Sequence, residues 1–395
     1  MENPKIMPLP DCPCSSGIFA IPGADKERLE ATLAGGALVG PLSKMDLNLD
    51  IGGRTTEIVE RILNQEGIPI SKSETGGHFS CRLSLDLKTW QSHIEPINIP
   101  STSSEGSFER LTDEQFDSAM ESVYPIPQIA LKIIRMIQDD TISMQDIAKE
   151  VRQDQIISAK VIRLCNSAFF HQKLKLDSID RALVVLGERR LLQLVISASL
   201  EDFFPKDPHG YSLCKGGLFN HAVGNAMICE KLAEFTGIVS GDIAYTAGLL
   251  HDIGKVVLDQ YMDLAYSLFY RKTQVEGENL ITVEREVFGI DHTEAGGRLA
   301  EKWSLPENLV DVIRYHHNPE QASLDSELTY MVYLADLLMS RFIVGQELER
   351  LNTDSLSDRL KKIGLTPEQF PAIVDSIPDT LFNVSMSGAN NALFA

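Results

Sequence analysis

Between His221 and Asp336 this chain sets histidines and carboxylates into apolar helical runs, and any fold must bring those groups partners. At the centre stands Leu249-Leu250-His251-Asp252-Ile253-Gly254-Lys255. Leu249, Leu250, Ile253 and Val256 flank the His-Asp pair, so desolvating it is costly without a compensating charge. Adjacent helical residues project about 100° apart, so His251 and Asp252 reach one metal, or two neighbouring ones if the carboxylate bridges. Gly248 admits the close approach of another helix, and Gly254 relaxes the helix. Lys255 lies one turn beyond His251, placed to meet an anion. The bland alternative, a surface Asp-Lys pair at i,i+3, explains Lys255 but not His251.

Five of the nine histidines fall in this stretch: His221, His251, His292, His316 and His317. His221 shares a helix with Leu218, Ala222, Ala226, Cys229 and Leu232, and alone it reads as a core histidine satisfied by a hydrogen bond. Asp291 with Glu294 three residues on is an N-cap signature, so His292 taken singly is an exposed first-turn histidine. His316 and His317 end a helix begun near Pro306, where the dipole favours histidine anyway, and one of the two reads as structural. Asp336 is the only charge from Tyr330 to Met339. Burying even a neutral polar group there costs about 2–7 kcal/mol, so this carboxylate needs a cation, or an arginine such as Arg314 or Arg341. The clustering suggests a metal site.

At about 100–200 residues per domain, 395 residues are two or three domains. Hydrophobic content of 43% allows a sizeable core, and no apolar run approaches the ~18 residues of a membrane span. No basic-then-apolar leader is visible, and six cysteines form no staple pattern, so the expectation is a reduced, cytoplasmic protein. A net charge of −20 disfavours nucleic acid, without excluding a small anion held by a metal. Cys12-Pro13-Cys14 lacks a second cysteine pair and reads as a surface turn.

Residues 1–97 read as a small α/β domain. Ile51-Gly52-Gly53-Arg54 opens a helix with Ile58, Ile62 and Leu63 on one face, closed by Gly67. Ile68-Pro69-Ile70 is a short strand and Thr75-Gly76-Gly77-His78 a turn. Then Phe79, Cys81, Leu83, Leu85 and Leu87 alternate with polar residues, predicting a half-buried antiparallel strand. Leu33-Ala34-Gly35-Gly36-Ala37, Ile51-Gly52-x-Arg54, Gly67-Ile68-Pro69-Ile70 and Gly76-Gly77-x-x-x-x-Arg82 resemble the chemoreceptor glutamine deamidase family, CheD. That family's cysteine nucleophile and histidine base lie upstream of the Gly-Gly-Ala segment. Here about 34 residues precede it and hold no histidine. The resemblance therefore implies a truncated CheD-like fold without deamidase activity, and a regulatory or chemotaxis-type protein partner.

Residues 98–111, rich in Pro, Ser and Gly, read as a linker. From 112 to 345 the pattern is wholly helical. Pro125-Ile126-Pro127 leads a helix with Ile129, Ile133, Ile134 and Ile137 inward. Ser143 with Asp146, and then Asp154, signal two further helix starts; the second helix carries Ile157, Val161, Leu164 and Cys165. Asp177-Ser178 opens another, ending at Gly187. Residues 346–395 form a helical extension and a polar tail. Pro125-Ile126-Pro127, Ile147-Ala148, Leu164-Cys165-Asn166-Ser167-Ala168-Phe169 and Ile179-x-x-Ala182-Leu183-x-x-Leu186-Gly187 resemble the HDOD family, the output-domain branch of the HD superfamily. The fold expected is multi-domain, α/β followed by all-α.

The order His221, His251-Asp252, His292, His316/His317, Asp336 resembles that of metal-binding HD phosphohydrolases. By that resemblance His221, His251, Asp252 and Asp336 hold one metal. Asp252 bridges to a second, held by His292 and one of His316 and His317, with Lys255 near a phosphate. Imidazole with carboxylate suits Fe, Mn, Ni, Co or Zn. Asn318-Pro319-Glu320 follows His317 where the cyclic-di-GMP-cleaving branch has Gly-Tyr-Pro, which argues against that substrate. The first reading is a signalling protein whose HDOD domain keeps a metal site and binds a partner or a phosphorylated small ligand. The second is a metal-dependent phosphohydrolase using Asp252 and Lys255, and the third a non-catalytic helical interaction module.

Overall fold

The computed structural model describes residues 29–37, 51–76, 81–86, 88–96, 110–123, 126–136, 151, 154–166, 176–204, 211, 217–342 and 356–376. The Cys12-Pro13-Cys14 turn, the segment 98–109, the Ser143/Asp146 helix start and Ile147-Ala148 lie outside them. The chain forms two compact units: residues 1–106 with Tyr270–Glu276, and residues 107–269 with 277–395.

In the first unit β1 (Ala31–Gly35) pairs in parallel with β2 (Ile70–Thr75). A parallel pair needs a crossover, which α1 (Ile51–Glu66) supplies. Gly67 closes α1 at φ 68°, a conformation glycine adopts without strain. β3 (Cys81–Asp86) and β4 (Gln91–Pro96) form an antiparallel pair with Leu83 opposite Ile94. Tyr270–Glu276 belongs to this unit through Arg271, which donates to both carboxylate oxygens of Glu74 and to the Ile94 carbonyl. Burial departs from the sequence reading here. Leu63 is buried, but Ile58 and Ile62 are each 47% exposed, and Leu83 and Leu85 are exposed as well. A two-strand ladder offers too little second layer to cover both faces. The strand after Gly67 begins at Ile70 and not at Ile68.

The second unit is helical throughout its described residues: α2 (Asp113–Ser122), α3 (Gln128–Met136), α4 (Gln155–Cys165), α5 (Ile179–Leu200), α6 (Gly217–Thr236), α7 (Gly241–Leu250), α8 (Ile253–Tyr270), α9 (Leu280–Val287), α10 (His292–Lys302), α11 (Glu307–Tyr315), α12 (Ser326–Phe342), α13 (Leu356–Lys362) and α14 (Phe370–Ser376). Asp154 caps α4, accepting from the Ile156 and Ile157 amides at 3.0 Å, and Ile157, Val161, Leu164 and Cys165 are buried beneath it. The helix begun at Ile179 breaks at Gly187, where φ is 79°, then resumes and runs to Leu200. Its second part enters the core, where Leu194, Val195 and Ile196 are fully buried and Gln193 donates to Glu230. α7 and α12 pack on α6, and α11 packs on α10. Among the described residues no helix is long and apolar enough to cross a membrane.

Candidate metal centre

The His-Asp pair does not sit inside one helix. α7 stops at Leu250 and α8 starts at Ile253, so His251 and Asp252 form the two-residue junction between them, with His251 still helical at φ −54°, ψ −37°. Glycines fix this junction against its neighbours. A Cβ on Gly248 would lie 2.9 Å from the Ala226 Cα of α6. One on Gly254 would lie 1.8 Å from the His292 carbonyl oxygen and 2.5 Å from the Gly296 nitrogen, so Gly254 serves contact with α10 and not relaxation of its own helix.

The other donors arrive on four elements. α6 carries His221, and α12 carries Asp336. His292 opens α10, whose cap is Asp291; that carboxylate accepts from the Thr293 and Glu294 amides at 2.9 and 3.1 Å and from Arg285 at 2.5 Å. His316 and His317 follow the end of α11. All seven residues are buried, including His292, which is 0% exposed where the cap signature alone pointed to the surface.

These side chains converge on two adjoining groups of potential ligands: His221, His251, Asp252 and Asp336, and Asp252, His292, His316 and His317. Asp252 is common to both and divides its oxygens between them. Oδ2 faces His221 Nε2 at 3.5 Å and His251 Nε2 at 3.3 Å; Oδ1 faces His316 at 3.5 Å and His292 at 3.6 Å. Asp336 Oδ1 lies 3.0 Å from His221 Nε2 and 3.6 Å from His251 Nε2. The Nε2 atoms of His292 and His317 are 2.9 Å apart. Ligands about 2.0–2.2 Å from a shared ion stand roughly 3 Å from one another, so these spacings suit cations. Four buried atoms strengthen the fit: Asp252 Oδ1, His316 Nε2 and both Asp336 oxygens have no hydrogen-bond partner among the described residues. Such atoms are costly unless something positive lies among them.

The titrating groups of the cluster shift one another. Burial alone would depress the His251 imidazole, but Asp252 and Asp336 outweigh it and push its pKa up to about 9. Burial, reinforced by neighbouring His317, pushes His316 down to about 3. Asp252 is held well below the usual carboxylate range, because His251 and Lys255 overcome its burial. Asp336 is likewise held down, by His221 and His251.

Lys255 is the i,i+3 partner of Asp252, Nζ to Oδ2 at 2.7 Å, yet the pair is buried and not on the surface. Arg314 pairs with Glu301 at 3.0 Å, and the Arg341 side chain lies outside the described residues. Sequence reasoning missed Glu284 and Tyr211. Glu284, fully buried, accepts from His292 Nδ1 at 2.7 Å and from the Tyr211 hydroxyl at 2.5 Å. Its signal was present: Leu280, Val283 and Val287 put Glu284 on the inward stripe of α9, the same anomaly that marks Asp336.

Comparison with known proteins fits this picture. Residues 123–319 match the HDOD domain model and residues 19–96 the model for CheD chemotactic sensory transduction. An uncharacterized protein of Treponema pallidum is 27% identical over 58% of this chain and 44% of its own length. A probable chemoreceptor glutamine deamidase CheD of Clostridium novyi is 41% identical over 14% of this chain and 35% of its own. The chain thus spans less than half the length of these relatives. Among solved structures, an HDOD domain protein of unknown function from Geobacter sulfurreducens is 26% identical with a TM-score of 0.56, covering 71% of this chain and 96% of that one. A putative phosphohydrolase from Shewanella amazonensis shares the fold at 22% identity and a TM-score of 0.53, covering 70% and 97%. The chain thus carries an HDOD domain over residues 123–319 and, before it in the sequence, a CheD-type domain over residues 19–96.

Proposed function

We propose that this is a cytoplasmic signal-transduction protein whose HDOD domain keeps a two-cation centre, with His221, His251, Asp252 and Asp336 holding one ion and Asp252, His292, His316 and His317 the other. The observation that carries this reading is the division of Asp252, one oxygen to each group, amid buried polar atoms that have no hydrogen-bond partner among the described residues. The centre anchors five segments of the helical unit at one point and accepts a phosphorylated small ligand or transmits to a partner. Through its CheD-type domain the protein engages a chemotaxis-related partner. Fe, Mn, Ni, Co or Zn suits the donors equally.

Burial favours a signalling role over turnover. His251 and His292 are 0% exposed and the most accessible donor, His317, is 8% exposed, whereas hydrolytic metal sites keep a coordination position open to water and substrate. The phosphohydrolase reading rests on the paired groups and on the adjacent Lys255. When bound, the cations would polarise a phosphoryl oxygen and lower the pKa of water. Asp252 would orient both ions, and Lys255, held by Asp252 Oδ2, would add positive charge beside them.

The test is the full chain, loaded with Mn(II) or Fe(II) and offered nucleotides, cyclic dinucleotides and bis(p-nitrophenyl) phosphate. Bound metal with no hydrolysis is the expected result. Turnover that Asp252→Ala abolishes would replace the signalling reading with the enzymatic one.

A further inference from the structure

The two groups are unequal in their own charge. Beside the shared Asp252, the first has a private carboxylate, Asp336; the second has three imidazoles and none. Behind the second group, however, stands Glu284. Its Oε2 accepts from the His292 backbone amide at 2.9 Å and from His292 Nδ1 at 2.7 Å, while Oε1 lies 2.9 Å from the same Nδ1. Oε1 also receives the Tyr211 hydroxyl at 2.5 Å, and the Tyr211 amide donates to Asp259 Oδ1 at 2.8 Å. The other ring-oriented histidines have weaker supports: His251 Nδ1 meets the Gly248 carbonyl at 2.8 Å and His316 Nδ1 the Ile313 carbonyl at 2.9 Å.

Resting on the two-cation reading, we propose that Glu284 is a positioning residue that supplies the missing private carboxylate from behind His292 and so equips the second group to bind its ion. Three donors point at Glu284, and a carboxylate is an acceptor only. The His292 proton is therefore held on Nδ1, leaving the Nε2 lone pair facing Asp252 and His317. A carboxylate behind an imidazole also raises its basicity as a ligand, more than a neutral carbonyl does. Tyr211 fixes the carboxylate from the far side, so that Glu284 cannot swing away from His292.

The substitution Glu284→Gln keeps the shape and removes the acceptor surplus. Its carbonyl oxygen takes the Oε2 position and still accepts from the His292 amide and Nδ1, while its NH₂ faces the Tyr211 hydroxyl, so the hydrogen bonds to His292 stay and the negative charge behind the ring is lost. In calorimetric titration of the chelator-stripped full chain with Mn(II), wild type is expected to take up two ions. Glu284→Gln should bind one with unchanged affinity and the other about 10–100-fold more weakly. Long-range ¹H–¹⁵N spectra of the metal-free protein should show His292 protonated on Nδ1 in wild type and in Glu284→Gln alike, so that the lost affinity reports the lost charge. Tyr211→Phe, which leaves the carboxylate in place, should lose less affinity and keep the wild-type tautomer. Two ions bound by Glu284→Gln with wild-type affinities would overturn the assignment while leaving the two-cation reading intact. So would wild-type protein with His292 protonated on Nε2. Wild-type protein that binds no ion would overturn both.

Discussion

Gly254→Ala adds one methyl group and should damage the centre more than many larger changes. The new Cβ would lie 1.8 Å from the His292 carbonyl oxygen, 2.5 Å from the Gly296 nitrogen and 2.8 Å from the His292 carbonyl carbon. All three are backbone atoms, so no side-chain rotation relieves the clash, and α8 and α10 must separate by about 1 Å in a close-packed interior. Overpacking of this kind costs about 1–3 kcal/mol, and a backbone-to-backbone clash falls at the upper end or beyond. At roughly 2–4 °C per kcal/mol for a domain of this size, the melting temperature should fall by about 6–12 °C. The same shift carries His292 away from Asp252, whereas ligand distances tolerate only about 0.2 Å. The assay is differential scanning calorimetry with elemental metal analysis, using Gly296→Ala as the comparison. There the Cβ meets the Ile313 Cγ2 at 2.8 Å and the Gly254 nitrogen at 3.1 Å, a milder overlap than 1.8 Å onto backbone, so a smaller loss is expected. Gly254→Ala that melts with wild type and holds the wild-type metal content would refute the close-contact reasoning.

Three further outcomes follow from the same geometry. Metal-free protein should be most stable near pH 6.5. Above it, stability from His251, whose pKa is raised to about 9, is lost as pH climbs through that value, by about 3 kcal/mol. Below it, His316, lowered to about 3, stays neutral in the fold while the unfolded chain takes up a proton, so stability falls towards acid. Metal-loaded protein should lose the alkaline arm, which urea titrations at pH 6.5 and 9 with and without chelator would reveal. Lys255→Met should leave the metal content unchanged, since Lys255 contacts Asp252 and is no ligand; loss of an ion on elemental analysis would contradict this. Cleavage of the native full chain by a dilute protease should begin within 98–111, as expected of a Pro/Ser/Gly connector, and first cuts inside 120–340 would move that boundary.

How much the sequence made legible varies with the kind of signal. The all-α half follows from 3.6-residue periodicity and caps, and Asp154, Ser178 and Asp291 each accept amide hydrogen bonds where those signatures lie. Asp336 could be singled out because a lone carboxylate in an apolar helix is a strong anomaly. Glu284 was overlooked because charged Arg285 and Glu286 follow it and hide the same anomaly. The break at His251-Asp252 was illegible, since two apolar helices joined by only two residues read as one. β1 and β4 escaped notice because five or six residues of mixed polarity, Ala31–Gly35 and Gln91–Pro96, carry no alternation to detect. Nothing local announces that Tyr270–Glu276 joins the first unit, because its tie is the long-range pairing of Arg271 with Glu74.

The central claim is that Asp252 bridges two cations, and elemental analysis of the purified full chain beside Asp252→Ala tests it most directly. Two transition-metal ions per wild-type chain, with both lost in a folded Asp252→Ala protein, is the predicted result. Wild-type protein that carries no metal and gains no thermal stability from Mn, Fe, Ni, Co or Zn would contradict it.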